Sequence, residues 1–228
     1  MTGVLAQVAT LTAKDLRIEG RTRQTMGLVL VLGILIISVL GLGLGQMPRE
    51  LSRSFTPAIL WVAYLFAGVL CFEKTMAVER QDGALAGLLL APIDRGVIYA
   101  SKLLSNLVLM LAVAAVITPV GILFFQFDLS PAPGGFVAII VIAMIGFAAV
   151  GTLFAALVSS TRLQGGLLAM VIFPVILPLV IASTQQMNTI FREGSTETIG
   201  GTGLAILVAF DAIFLVTSWL VFELVLEP

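Results

Sequence analysis

The sequence has no histidine and a single cysteine, Cys71. That removes the His/Cys ligand sets of zinc sites, the CxxC redox pair, a histidine general base and any intrachain disulfide. Cys71 lies inside an apolar run, where a buried, inert thiol is the expected state. Charge is scarce too. Only 11% of the 228 residues are charged and the net charge is −1, whereas soluble domains carry about 25% charged residues. So weak a positive field leaves no electrostatic footprint for nucleic acid. No Gly-x-x-x-x-Gly-Lys-Ser/Thr loop occurs, so the chain lacks that cradle for the phosphates of ATP.

What is present is apolar. Hydrophobic residues make up 59% of the chain, and the mean hydropathy is +1.13. A helix needs about 20 apolar residues to cross a bilayer. Charge-free intervals of that order mark six spans, at about 26–45, 55–72, 103–127, 135–159, 165–184 and 203–222. The expected fold is an all-α membrane protein, with residues 1–228 forming one transmembrane domain. Gly41 and Gly45 form a G-x-x-x-G pair that lets another helix approach closely. Pro119 is expected to kink the third span. Pro174 and Pro178 in the fifth require neighbours that re-satisfy freed carbonyls. The first apolar run begins at Met26 behind a charged segment and lacks a small-residue cleavage site, so it is expected to stay as an anchor.

Residues 1–25 are too polar to span. Val4, Val8, Leu11 and Ile18 recur on one helical face and Lys14, Arg17 and Arg21 on another. This pattern predicts an amphipathic helix at the membrane surface, its basic residues toward lipid phosphates; a polar tail is the alternative. Asp15 falls on the apolar side and does not fit the pattern. Nine Lys and Arg residues lie in the N-terminal segment, the central stretch and the loop after span four, against three in the other loops. The positive-inside rule therefore places both termini in the cytoplasm. The segment 185–202 reads as a solvated loop or a short re-entrant element. Asp211 sits inside span six. A carboxyl group in hydrocarbon costs about 2.5–3.5 kcal/mol on insertion scales, so it marks either a transport path or gate, or a carboxyl hydrogen-bonded between helices.

The stretch from Glu73 to Lys102 holds eight of the 25 charged residues. Glu79 and Asp82 precede Leu85, Leu88 and Leu89, which share one helical face, and Pro92 stops the run. Acidic residues favour a helix start and proline favours its end, so Glu79–Ala91 reads as one short helix with a leucine face. Asp94 is placed to cap the helix that follows. The leucine face must be covered by lipid, by the chain's own bundle or by a partner; spacing alone leaves all three open.

The pattern Glu79-Arg80-x-x-Gly83-x-Leu85-x-x-Leu88-x-x-x-Pro92, between spans two and three, resembles the coupling loop of ABC-type export permeases. Within that class the run from Gly83 to Tyr99, with Lys102 beyond it, is similar to the CcmB family, the heme exporter B subunits of cytochrome c maturation. The resemblance extends over the order of elements in essentially the whole chain. It implies a non-catalytic permease subunit in the bacterial inner membrane, working as a homodimer. Glu79, Arg80, Asp82, Gly83, Leu85, Leu88, Leu89 and Pro92 would dock on a separate ATPase. The implied partners are a CcmA-like ATPase that holds the ATP, a CcmC-like heme-handling membrane protein, a small CcmD-like helper and a CcmE-like heme chaperone. Heme would be substrate of the complex, and no cofactor is expected on this chain. Histidine, the commonest axial ligand of heme iron, is absent, so force transmission or chaperone release fits better than strong heme ligation. The alternatives are an ABC permease exporting a drug, lipid or polysaccharide, and an ion-coupled secondary carrier. Carriers usually show internal repeats and several intramembrane charges; here Asp211 alone qualifies and no repeat is visible.

Overall fold

The computed structural model describes residues 3–44, 48–81, 94–129, 132–159, 166–193 and 201–225, which form seven helices and no strand. They are α1 (Val4–Thr22), α2 (Gln24–Leu44), α3 (Arg49–Gln81), α4 (Arg95–Phe125), α5 (Pro133–Ser159), α6 (Leu167–Glu193) and α7 (Gly201–Val225). Six of these, α2 to α7, carry segments long and apolar enough to cross a bilayer. In hydrocarbon every backbone N–H and C=O must be satisfied within the protein, and a helix does this within its own segment. Long apolar runs therefore become helices whatever they pack against.

The centre of the bundle is α5 with α3: 72% and 67% of their most apolar windows are buried, against 22% for α2 and α7 at the periphery. Small residues let the central helices interlock. The Phe72 ring of α3 occupies the space beside Gly151 of α5, and the Phe147 ring of α5 fills that beside Gly68 of α3. The two rings meet edge to face with centroids 5.1 Å apart, an arrangement that adds about 0.5–1.5 kcal/mol to simple burial. On α2 the buried face is Val29, Gly33, Ile37 and Gly41. Ile117 of α4 packs into the gap at Gly33, and Phe124 into that at Gly41. Gly41 thus serves close approach as expected, but its companion on that face is Gly33; Gly45 lies outside the described residues.

Two helices run past the expected ends of their spans. Helix α3 continues from residue 72 to Gln81, whereas α4 begins at Arg95, directly after the cap expected at Asp94. Helix α6 continues past residue 184 to Glu193, so the first half of the segment read as a loop or re-entrant element is helix. The reason is an apolar set at helical spacing among polar neighbours. Met187 and Ile190 are buried, and Phe191 packs on Phe127 and Phe136 at centroid distances of 5.0 and 5.9 Å. Helix α4 passes through Pro119 and α6 through Pro174 and Pro178.

Candidate functional site

The α1–α2 corner, the end of α3 and the start of α4 meet at one end of the bundle. Only Arg23, in a left-handed conformation (φ 51°), separates α1 from α2, and its N–H donates to Glu19 O at 2.7 Å. The carboxylate of Glu19 accepts the Met26 N–H at 2.7 Å, satisfying one of the four donors that a helix N-terminus leaves open. On α4, the side chain of Asp94 accepts the Gly96 N–H at 2.9 Å, which is the expected cap.

Helix α1 turns the face shared by Val8, Leu11 and Asp15 toward the bundle: Val8 and Leu11 are half-buried, Val4 and Ile18 are exposed, and Thr12 and Asp15 bond to α4. The cause is Lys102. Its side chain is only 7% exposed, and its ammonium lies 2.7 Å from Asp15, itself 13% exposed. A buried ammonium needs an acceptor, so the acidic residue that spoiled the amphipathic pattern is the one that orients the helix. Lys14, expected to face lipid phosphates, lies 3.2 Å from the same carboxylate. Thr12 Oγ1 donates to Ser101 O at 3.3 Å and Ser105 Oγ to Asp15 at 3.4 Å, completing the α1–α4 seam. Arg17 and Arg21 remain exposed.

Deeper in, one polar line crosses three helices. Thr75 Oγ1 of α3 donates to Asn106 Oδ1 of α4 at 3.0 Å, and Asn106 Nδ2 donates to Thr152 Oγ1 of α5 at 2.9 Å. The first turns of α4 also reach α5 and α7. Tyr99 OH donates to Ala149 O at 3.5 Å, and its ring packs on Trp219 and Phe222 at centroid distances of 6.3 and 5.0 Å. Trp219 also closes over Gly96. The first three turns of α4 therefore touch α1, α5 and α7 together. Buried polar groups of this kind hold a single arrangement because each unmade bond is costly in a dry interior.

Of the expected docking residues, Glu79 and Arg80 fall in the last turn of α3. Asp82, Gly83, Leu85, Leu88, Leu89 and Pro92 lie outside the described residues, as does most of the expected helix Glu79–Ala91. The described chain leaves at Gln81 and returns at Asp94, at the end of the bundle where α1 docks. Asp211 is 8% exposed on α7. Its Oδ1 rests against Gly146 of α5, beside Leu179 of α6, and has no hydrogen-bond partner among the described residues. Gly146 lies one turn along α5 from the Ala149 that Tyr99 touches. Sequence reasoning missed the pairing of Asp15 with Lys102 and the Thr75–Asn106–Thr152 line. An acidic residue on an apolar face and a lysine at the mouth of an apolar run were the available signals for the first.

Comparison with known proteins matches this sequence to one family. The profile of the "CcmB protein" family matches residues 6–225. "Heme exporter protein B" of Paracoccus denitrificans is 28% identical over 199 residues, covering 87% of this chain and 88% of that protein. The Rhodobacter capsulatus protein of the same name is 26% identical over 181 residues, covering 78% of this chain and 81% of its own. That of Haemophilus influenzae is 25% identical over 158 residues, covering 68% and 69%. The family match runs from α1 to the last turn of α7 and takes in all six apolar helices; this multi-pass membrane protein belongs to the CcmB family.

Proposed function

We propose that this chain is the membrane permease subunit of an ABC-type heme exporter in cytochrome c biogenesis, coupling ATP hydrolysis on a separate CcmA-like subunit to heme export or to release of a heme-loaded CcmE-like chaperone. The observation that carries the reading is the family match over residues 6–225, joined to relatives named for heme export. It favours heme over a drug, lipid or polysaccharide as the exported substrate. The chain has no Walker-type phosphate loop of its own, so the energy comes from a partner. The segment 79–92, with Glu79, Arg80, Asp82, Gly83, Leu85, Leu88, Leu89 and Pro92, docks on that ATPase. The α4 junction supports such coupling, since a displacement at Asp94 acts on α1, α5 and α7 at once. The complex holds two copies of this chain, with CcmC-like and CcmD-like proteins beside it. Asp211 is the residue of the bundle interior suited to a gate, being a buried carboxyl whose Oδ1 has no hydrogen-bond partner among the described residues.

The purified chain alone is expected to show no ATPase activity, while the chain expressed with its neighbouring genes co-purifies an ATPase whose turnover responds to the chaperone. Hydrolysis by the isolated chain, with no second subunit in the preparation, would remove the class assignment. The inner-membrane orientation has its own test. Cysteines placed at Gly134 and Thr196 are expected to react with an impermeant maleimide in intact cells, and one at Gln81 is not. Labelling of position 81 in sealed cells reverses the topology.

A further inference from the structure

Two adjacent hollows lie in the angle between α1, α2 and α4. The first, about 90 Å³, has mostly apolar walls but gathers the polar side chains of Asp15, Glu19, Thr75, Lys102, Ser105 and Asn106. The second, about 360 Å³, is apolar apart from its rim, and Leu16, Met26, Gly27, Leu30 and Leu109 form its walls. Glu19 and Leu109 border both, so the chamber with the polar side chains adjoins the apolar groove.

The charges along this space are not all spent on each other. Asp15 is satisfied by Lys102 and Lys14. Glu19 uses Oε1 for the Met26 N–H, and among the described residues no cation pairs with it. Arg23, at the rim of the groove one turn away, is exposed and its side chain makes no ion pair among the described residues. The space thus offers one half-buried carboxylate oxygen, one lone guanidinium on the rim, hydroxyl and amide groups behind, and an apolar channel leading away. A half-buried carboxylate calls for a cation with N–H donors; a rim arginine suits a phosphate; an apolar groove beside membrane-spanning helices suits an acyl chain.

We propose that this space is a binding site for a phospholipid with a primary-ammonium headgroup. The ammonium enters the chamber and donates to Glu19, the phosphate meets Arg23, and one acyl chain lies along Leu16, Leu30 and Leu109. A lipid seated there wedges α1 against α2 and α4. It becomes part of the same junction that Lys102 and Asp15 hold, on the leaflet facing the N-terminal end of the bundle. The opposed charges select a zwitterionic headgroup. A glycerol headgroup brings the same phosphate but no cation, and leaves Glu19 facing a net negative lipid.

The test is lipid retention by the full chain, purified in mild detergent and titrated with ethanolamine or glycerol phospholipids of identical chains, bound copies being counted by native mass spectrometry. The wild type is expected to bind the ethanolamine lipid about tenfold or more tightly than the glycerol lipid, the range of one charge-assisted hydrogen bond. Glu19→Gln keeps an acceptor for Met26 and is expected to abolish that preference without lowering thermal stability. Gly27→Phe places a ring in the groove at a position where an added Cβ meets no neighbouring atom. It is expected to reduce retention of both lipids in a chain that still folds. Equal binding of the two headgroups by the wild type overturns the proposal. So does a preference for the glycerol lipid, which would make this an anionic-lipid site of Arg23. An ethanolamine preference that survives Glu19→Gln, or lipid retention unchanged in Gly27→Phe, also overturns it.

Discussion

Replacing Lys102 with methionine is expected to destabilise the bundle by about 3–5 kcal/mol, the usual cost of removing one partner from a buried ion pair. Both side chains are too enclosed for solvent to screen the loss, at 7% and 13% exposure. Lys14 lies 3.2 Å from the same carboxylate but is 38% exposed, so it neutralises Asp15 only partly. The stranded carboxylate would then draw α1 away from α4 toward water. Two measurements check this on one preparation. The thermal midpoint in detergent falls, and crosslinking between cysteines at Thr12 and Ser101, whose hydroxyl and backbone carbonyl meet across the seam, becomes slower. Adding Asp15→Leu to Lys102→Met is expected to restore most of the stability, because replacing both partners of a buried pair with apolar groups is often neutral. A single variant as stable as the wild type would show that the pair does not hold α1.

Leu88→Asp is the second large effect, and it concerns the stretch between α3 and α4. If Glu79–Ala91 is a coupling helix, its leucine face meets a soluble protein. The new carboxylate is then buried unpaired at the contact, at a cost of several kcal/mol, so ATPase docking weakens more than about tenfold. Membrane insertion of the six spans is unaffected, because the segment lies between them. Expression therefore stays near normal while the ATPase pull-down falls. Glu79 and Arg80 are expected to behave more mildly, as rim charges mostly tune encounter rate. If the leucine face packs on the bundle instead, the amount of folded protein drops and the surviving protein keeps its ATPase. Lost expression with retained binding therefore refutes the coupling role. The Lys102 and Leu88 variants separate two links of one chain of transmission. The first is aimed at the seam between α1 and α4, the second at the contact with the partner.

Much of the architecture could be read before any coordinates. Met26, Phe55 and Gly203 open apolar runs that had to become spans, and they do so within helices α2, α3 and α7. The cap at Asp94 was legible because capping is a contact between residues two apart. The partner of Asp15 was not. Val4, Val8, Leu11 and Ile18 gave an apolar stripe, and Asp15, which shares its face, turns inward to a lysine 87 positions away. Nor did the sequence show that α6 continues through Gln185. Its polar residues there mask Met187, Ile190 and Phe191, whose burial depends on Phe127 and Phe136 being opposite.

The division follows from where each requirement is enforced. By itself the sequence determined six membrane-spanning helices and a chain without a Walker-type phosphate loop. Crossing hydrocarbon is a condition on each segment alone, met residue by residue through hydropathy and intrahelical hydrogen bonds. Only the tertiary structure decided which face of α1 is buried, which charges pair and which polar groups form the line from Thr75 to Thr152. A buried charge or amide is tolerated only where its partner is brought to it, and that partner is chosen by packing between helices far apart in the chain.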